Sequence, residues 1–394
     1  MRILLASSSS GSRGGGELFL LTLGQALSEL GHDVVLWAST HRRMDELCAG
    51  FENFGEVYRA EYVNTYDRRL RTFGAALDLG TARRVGTQWR RLRPDVIHLN
   101  KQNLEDGLEL VCAANFSRIP SICSIHLTQN AAYLKARLHG IRDALARFAL
   151  QQYRGWFVAI GNSRLADLRT FLGQSDRTAV VRNGVPVPTM NRLAELRSAK
   201  RNELNIRDDQ LLCIDVGRMV EQKRPLLFLD LAARIASEMP QTVFCWVGDG
   251  PLRSEWDLAA EKKGLADRAF VTGWVGEVQP FYAAADLFLH TAAYEGLPLA
   301  LLEAMAAGLP CLLTPNLLQD LHFLDPAATI ATEENGRTWI QAISDPSERR
   351  RLGICARDVA VRHFSAARMA REYELLYEKV TTGCGDANRI LHTP

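Results

Sequence analysis

Short apolar runs alternate with stretches of helical periodicity along most of this 394-residue chain. That alternation limits the fold more than any other feature. Strands buried on both faces read as continuous apolar runs, and parallel neighbours need a helix to carry the chain back between them. Residues 2–6, 34–37, 95–99, 121–126, 156–160 and 178–182 predict strands of this kind, and residues 17–30 the first helix, with Leu18, Leu21, Leu27 and Leu30 apolar. Asn183-Gly184-Val185-Pro186-Val187-Pro188 then breaks the pattern. A second alternation follows, with strands at 211–216, 242–247, 269–272 and 285–290 and helices at 225–239 and 253–263. The expectation is an α/β protein of two Rossmann-like domains, 1–185 and 186–365, each a doubly wound parallel sheet. Residues 366–380, with Met369, Tyr373, Leu376 and Tyr377 in register, predict a helix, and 381–394 a loose tail.

Composition narrows the function classes. Charged residues make up 23% and hydrophobic residues 47%, the balance of a globular protein. The net charge of +2 is unevenly spread: residues 1–185 hold 24 Lys and Arg against 17 Asp and Glu, the remainder 23 against 28. A basic first half fits an anionic partner, and scattered surface charge is the plainer reading. The eight cysteines include no Cys-x-x-Cys pair, which argues against zinc or a disulfide framework and for a reducing cytoplasm. The first residues run into a strand rather than a signal peptide, and no apolar run reaches the roughly 18–20 residues of a membrane span. Membrane contact, if any, is expected to be peripheral on the inner face.

The stretch His290-Thr-Ala-Ala-Tyr-Glu-Gly-Leu-Pro-Leu-Ala-Leu-Leu-Glu-Ala-Met-Ala-Ala-Gly-Leu-Pro310 carries the sharpest chemistry. A strand, a turn at Gly296 and a helix from Leu299 leave free backbone N–H groups at the helix start, which suit phosphate. Pro298 has no N–H, so such contacts fall to Leu297, Leu299 or Ala300. Glu295 lies at the mouth of this turn and Glu303 two helical turns on. Carboxylates so near a phosphate site serve donors elsewhere on the ligand, and sugar or ribose hydroxyls are the natural ones. Upstream, Val216-Gly217-Arg218-Met219-Val220-Glu221-Gln222-Lys223-Arg224-Pro225 follows a strand and brings two cations within reach of one diphosphate. A solvated basic loop is the competing reading.

These two segments resemble the Glu-x7-Glu and Gly-Arg…Glu-Lys-Gly motifs of retaining GT-B glycosyltransferases of family 4, also called glycosyl transferases group 1. The resemblance implies two domains facing a central cleft, with residues 366–380 crossing back onto the first. It implies a nucleotide-diphosphate sugar on the second domain: Glu303 on the ribose, Glu295 on the sugar, Arg218 and Lys223 on the diphosphate beside Gly217. Arg224 stands where the family has glycine, which reads as a minor departure. Phe270-Val271-Thr272-Gly273-Trp274 matches the segment that meets the nucleobase, and Trp274 is either a stacking platform or a core residue. Trp246-Val247-Gly248-Asp249-Gly250-Pro251 reads as a structural turn. Gly14-Gly15-Gly16-Glu17 matches the family's Gly-Gly-x-Glu loop over the donor; it lacks clean dinucleotide spacing and the acid that an NAD site needs. His126, at a strand end, matches a histidine that contacts the donor sugar, while His98 reads as structural.

The resemblance further implies transfer with retention to a glycan, polysaccharide or lipid-linked acceptor, with no cofactor, no metal and no nucleic-acid partner. UDP is the expected base and GDP the alternative. A sugar-nucleotide 2-epimerase or a non-catalytic sugar-nucleotide-binding module remain as other readings. Residues 133–153 place Leu134, Leu138, Ile141, Leu145 and Phe148 at helical spacing, with Lys135, Arg137, Arg142 and Arg147 around them. Packing against the sheet is the favoured reading of that stripe, and contact with an anionic membrane the alternative.

Overall fold

The structure, a computed structural model, describes residues 1–9, 15–68, 71–133, 136–173, 176–295, 297–320, 329–332 and 338–383. The chain forms two compact units: Met1–Gly184 with Ala366–Pro394, and Val185–Ser365.

In the first unit, seven strands form one parallel sheet: β1 (Arg2–Ser7), β2 (Asp33–Ser39), β3 (Glu56–Ala60), β4 (Val96–Asn103), β5 (Ser121–Leu127), β6 (Trp156–Ala159) and β7 (Thr178–Val180). Their order is β3-β2-β1-β4-β5-β6-β7. Alternate residues of one strand feed opposite faces, as a period of two requires. Leu4, Ala6, Ile97 and Leu99 pack with Trp89 on one face. Ile3, Leu5, Val96 and Ile122 pack on the other with Phe19 and with Met369, Tyr373 and Tyr377 of the helix Ala366–Thr382. That last helix is tied to β4 and β5 by polar contacts: His98 Nδ1 meets the Tyr377 hydroxyl at 2.7 Å and its Nε2 meets Ser124 Oγ at 2.7 Å, while Ser124 Oγ meets Tyr373 Oη at 2.8 Å. Burial pushes the His98 imidazole down to about 3, so it serves there as a neutral bridge.

The second unit holds a six-stranded parallel sheet, β8 (Leu211–Val216), β9 (Thr242–Val247), β10 (Ala269–Val271), β11 (Leu287–His290), β12 (Cys311–Leu313) and β13 (Thr329–Ala331), in the order β10-β9-β8-β11-β12-β13. Strand order reverses between β1 and β4 in one sheet and between β8 and β11 in the other. Ligands of such sheets bind beyond the carboxyl ends of the strands at that reversal.

Strand β13 was not expected from the sequence, and two further readings need correction or addition. Strand β3 went unpredicted because Glu-Val-Tyr-Arg-Ala is a half-buried edge, with no apolar run to mark it. The stretch 133–153 is not one helix packed by its apolar stripe. The helix is His139–Gln151, preceded by Leu138 in the left-handed region at φ 56°. It buries Ala146, Ala149 and Leu150 and leaves Leu138, Ile141 and Phe148 exposed by 64, 54 and 65%. Ala146, Ala149 and Leu150 form the face packed against neighbouring helices, so the other large apolar residues point outward. Leu134 and Lys135 lie outside the described residues, as does the tail beyond Gly383. Among the described residues no helix is long and apolar enough to cross a membrane, and the seven described cysteines are all free thiols.

Candidate functional site

At the carboxyl end of β8 the chain turns at Gly217. The Gly217 carbonyl accepts from Trp246 Nε1 at 2.8 Å, and a Cβ on Gly248 (φ 141°) would lie 2.1 Å from that oxygen. A Cβ on Gly250 would come within 2.5 Å of the Met219 carbonyl. The Gly-Asp-Gly turn is thus glycine because it closes on the backbone that carries Arg218 and Lys223. The Arg218 side chain is exposed and its guanidinium has no hydrogen-bonded or ionic partner among the described residues, while its carbonyl accepts from Val220 N at 2.9 Å. Lys223 ends the short turn Glu221–Lys223, and its Nζ lies 2.5 Å from Glu295 Oε1. Residues 72 apart in sequence meet because β8 and β11 are neighbours.

Arg224 corrects the reading of a minor departure. Its backbone is left-handed (φ 49°, ψ 58°), a conformation that favours glycine. The guanidinium donates to the Thr291 carbonyl at 2.8 Å, the Ala292 carbonyl at 3.1 Å and Thr314 Oγ1 at 3.2 Å. In return Thr291 Oγ1 donates to the carbonyls of Lys223 and Arg224, and the Ala293 N–H to that of Gln222. The loop carrying Lys223 is laced to the loop carrying Glu295, and the hydrogen bonds of one arginine offset its backbone strain.

Gly296 lies outside the described residues. Leu297 is buried, and the helix Leu299–Ala306 begins after Pro298. Leu301 and Leu302 make the first bonds back to the Pro298 carbonyl, so the N–H groups of Leu299 and Ala300 precede the ladder, in position for an anion. Glu303, on the same helix, accepts from the Tyr282 hydroxyl at 2.9 Å. Burial pushes its carboxyl up to about 7, although the tyrosine bond favours the charged form. Trp274 follows Gly273 (φ 73°) and is 52% exposed, so it is not a core residue.

Sequence reasoning missed the pair behind this site. Asp215 Oδ1 accepts from Val216 N and from His290 Nδ1, each at 2.8 Å, and His290 Nε2 faces Glu295 Oε1 at 3.9 Å. Both side chains are wholly buried in strands whose apolar neighbours hid them. Tyr282, buried in the short helix Gln279–Ala284 among Phe281, Ala283 and Ala284, was missed as well.

In the first unit, Gly15 and Gly16 open the helix Gly15–Glu29, while Gly14 lies outside the described residues. The Gly16 carbonyl accepts from Asn100 Nδ2 at 2.8 Å, and Gln102 Nε2 donates to Glu17 Oε1 at 3.0 Å. Asn100 Oδ1 also lies 2.7 Å from His126 Nε2, and the Phe19 ring stands edge-on to the imidazole at 4.9 Å. Burial lowers His126 to about 4. The structure therefore groups Gly15, Gly16 and His126 at the β1–β4 reversal. It groups Gly217, Arg218, Lys223, Glu295, Leu299, Ala300 and Glu303 about the β8–β11 reversal. Among the described residues no three His, Cys, Asp or Glu side chains gather as metal ligands.

The family profile of glycosyl transferases group 1 matches residues 197–319, and that of glycosyltransferase family 4 matches 13–187. The chain belongs to the group 1, family 4 glycosyltransferases. This glycosyltransferase is 30% identical over 141 residues to the UDP-Gal:alpha-D-GlcNAc-diphosphoundecaprenol alpha-1,3-galactosyltransferase of Escherichia coli, covering 35% of this chain and 36% of that one. It is 25% identical over 309 residues, 74% of each chain, to the alpha-monoglucosyldiacylglycerol synthase of Acholeplasma laidlawii. The match thus spans only about a third of the first relative and about three quarters of the second. Among solved structures, Anabaena Alr3699/HepE in complex with UDP superposes with a TM-score of 0.74 at 16% identity, over 96% of this chain and 100% of that chain. At that identity the likeness speaks for the GT-B fold alone.

Proposed function

We propose that this glycosyltransferase takes a hexose from a nucleotide-diphosphate sugar, UDP-linked rather than GDP-linked. It passes the sugar, with retention at the anomeric carbon, to a glycan, polysaccharide or lipid-linked acceptor. The observation that carries this reading is the Lys223–Glu295 contact at the strand reversal, with the open end of the helix Leu299–Ala306 on the same loop. Without ligand the two charges satisfy each other. With donor present, Lys223 and Arg218 turn to the diphosphate and Glu295 to the sugar hydroxyls, so one pair of side chains serves both halves of the ligand. Glu303 takes the ribose and Trp274 offers its exposed face to the base. The HepE structures with UDP and with UDP-glucose, and the UDP-Gal in the name of the E. coli relative, favour UDP.

In the reaction, the bond between the anomeric carbon and the phosphate oxygen breaks and UDP departs. The acceptor hydroxyl attacks the same face, and its proton passes to the departing phosphate. Charge grows on the diphosphate as the bond breaks, and fixed cations stabilise it. Arg218 and Lys223 supply that charge, so the proposal requires neither metal nor cofactor. Gly15, Gly16 and His126 are assigned to the reaction centre and acceptor side.

An anionic membrane surface is the proposed second partner of the first unit. Leu138, Ile141 and Phe148 offer exposed apolar side chains beside the exposed Arg137 and Arg147, the makeup of an interfacial helix. Arg142 takes no part, since its guanidinium is engaged with both oxygens of Glu105. The name of the A. laidlawii relative, a glycolipid synthase, agrees with such a setting.

The test is thermal stabilisation by UDP, GDP, ADP, NAD and their sugar conjugates at equal concentration. A ligand that binds only the native state raises the melting temperature. UDP and a UDP-sugar giving the largest shifts is the expected result. A shift with NAD alone, or with none of them, would overturn the proposal.

A further inference from the structure

The Gly16 carbonyl can only accept a hydrogen bond, so the Asn100 amide must present Nδ2 to it, at 2.8 Å. The same amide then turns Oδ1 toward His126 Nε2, 2.7 Å away. Two acceptors cannot share that contact, so the hydrogen of the imidazole sits on Nε2. The reversed amide would set oxygen against oxygen at Gly16. Burial keeps the ring neutral, and a neutral ring with Nε2–H carries a bare lone pair on Nδ1. Nδ1 meets no partner among the described residues, and the ring is only half-buried. Phe19, edge-on at 4.9 Å and 75°, fixes the plane of the imidazole. A Cβ on Gly16 would lie 2.2 Å from the Gln102 side chain, so the start of the helix Gly15–Glu29 sits tightly against β4.

We infer that Asn100 is a positioning residue. It locks His126 in the Nε2–H form, so that Nδ1 is presented as a hydrogen-bond acceptor, and it pins the glycine turn at Gly16 with the same amide. The ligand group that fits such an Nδ1 is a hydroxyl, of a neutral sugar or of the acceptor, and not a carboxylate or a phosphoryl oxygen. The inference rests on the proposed sugar chemistry for the class of ligand, but the state of the ring is independent of it.

The experiment is long-range nitrogen–proton NMR of the full chain labelled with 15N-histidine, with His126→Gln to assign the signal. The wild type is expected to show hydrogen on Nε2 and a bare Nδ1 near neutral pH. In Asn100→Ala the signal is expected to move to an average of the two tautomers. The kcat/KM for UDP-sugar transfer is expected to fall about tenfold, the size of one lost hydrogen bond, while the affinity for UDP alone holds. Hydrogen on Nδ1 in the wild type, or an unchanged signal in Asn100→Ala, overturns the inference. Should Asn100→Ala not fold, the wild-type spectrum decides the tautomer and Asn100→Ser takes its place. A wild type that binds no UDP-sugar sinks the proposed function and leaves the tautomer readout standing, so the two failures are distinct.

Discussion

Binding of the donor should be coupled to a proton through Glu303. With its carboxyl at about 7, roughly one tenth is ionised at pH 6 and nine tenths at pH 8. Ribose hydroxyls donate more strongly to the carboxylate than to the acid, so ligand favours the ionised form and affinity rises with pH. The ratio of ionised fractions gives a dissociation constant about tenfold weaker at pH 6 than at pH 8, or about 1.4 kcal/mol. The assay is calorimetric titration with UDP-glucose, whose diphosphate diester does not ionise in this range. Without ligand the sign reverses. A carboxyl raised in the folded state contributes stability below its ordinary pKa and loses it as pH rises through 7. The unliganded chain should therefore lose about 1 kcal/mol between pH 6 and pH 8 from this group. Glu303→Gln should flatten both dependences. An affinity that does not change from pH 6 to pH 8, or the same slope in Glu303→Gln, refutes the reasoning.

Further outcomes follow from the same geometry. Arg224→Gly relieves about 1 kcal/mol of left-handed strain but removes three hydrogen bonds from a charged donor, so a net loss of about 3 kcal/mol or more is expected in urea unfolding; a more stable variant contradicts this. Gly250→Ala, whose Cβ would press on the Met219 backbone, should raise the KM for donor by displacing the turn that carries Arg218 and Lys223; unaltered kinetics would show that the turn has room. Ile141→Ser with Phe148→Ser should weaken binding to vesicles rich in anionic lipid by about tenfold or more, with solution activity on soluble acceptors kept; unchanged vesicle binding removes the membrane from the account.

The buried centres of both sheets could be read directly. β1, β8, β9 and β11 are wholly or nearly wholly buried, and a strand shut off from water on both faces has no choice but a continuous apolar run. The edge strand β3 is half wet and escapes that rule. The stretch 133–153 misled because large apolar residues at helical spacing normally face a core, whereas here Ala146, Ala149 and Leu150 do the packing and the left-handed Leu138 precedes the helix. In the site, the spacing from Glu295 to Glu303 is local and therefore visible. The contacts that give those carboxylates their properties are not: Asp215 meets His290 between neighbouring strands, Lys223 meets Glu295 between the loops that follow those strands, and Tyr282 meets Glu303 between two helices. Arg224 shows the same limit, since only the backbone angle reveals why a glycine would be favoured there.

The central claim is that Glu295 holds the sugar while the nucleotide is held elsewhere. The most direct measurement compares wild type with Glu295→Ala for UDP affinity and for release of UDP from a UDP-sugar in the presence of acceptor. UDP affinity within a few-fold of wild type and turnover lower by about 100-fold or more are expected. A Glu295→Ala protein that turns over like the wild type would contradict the claim.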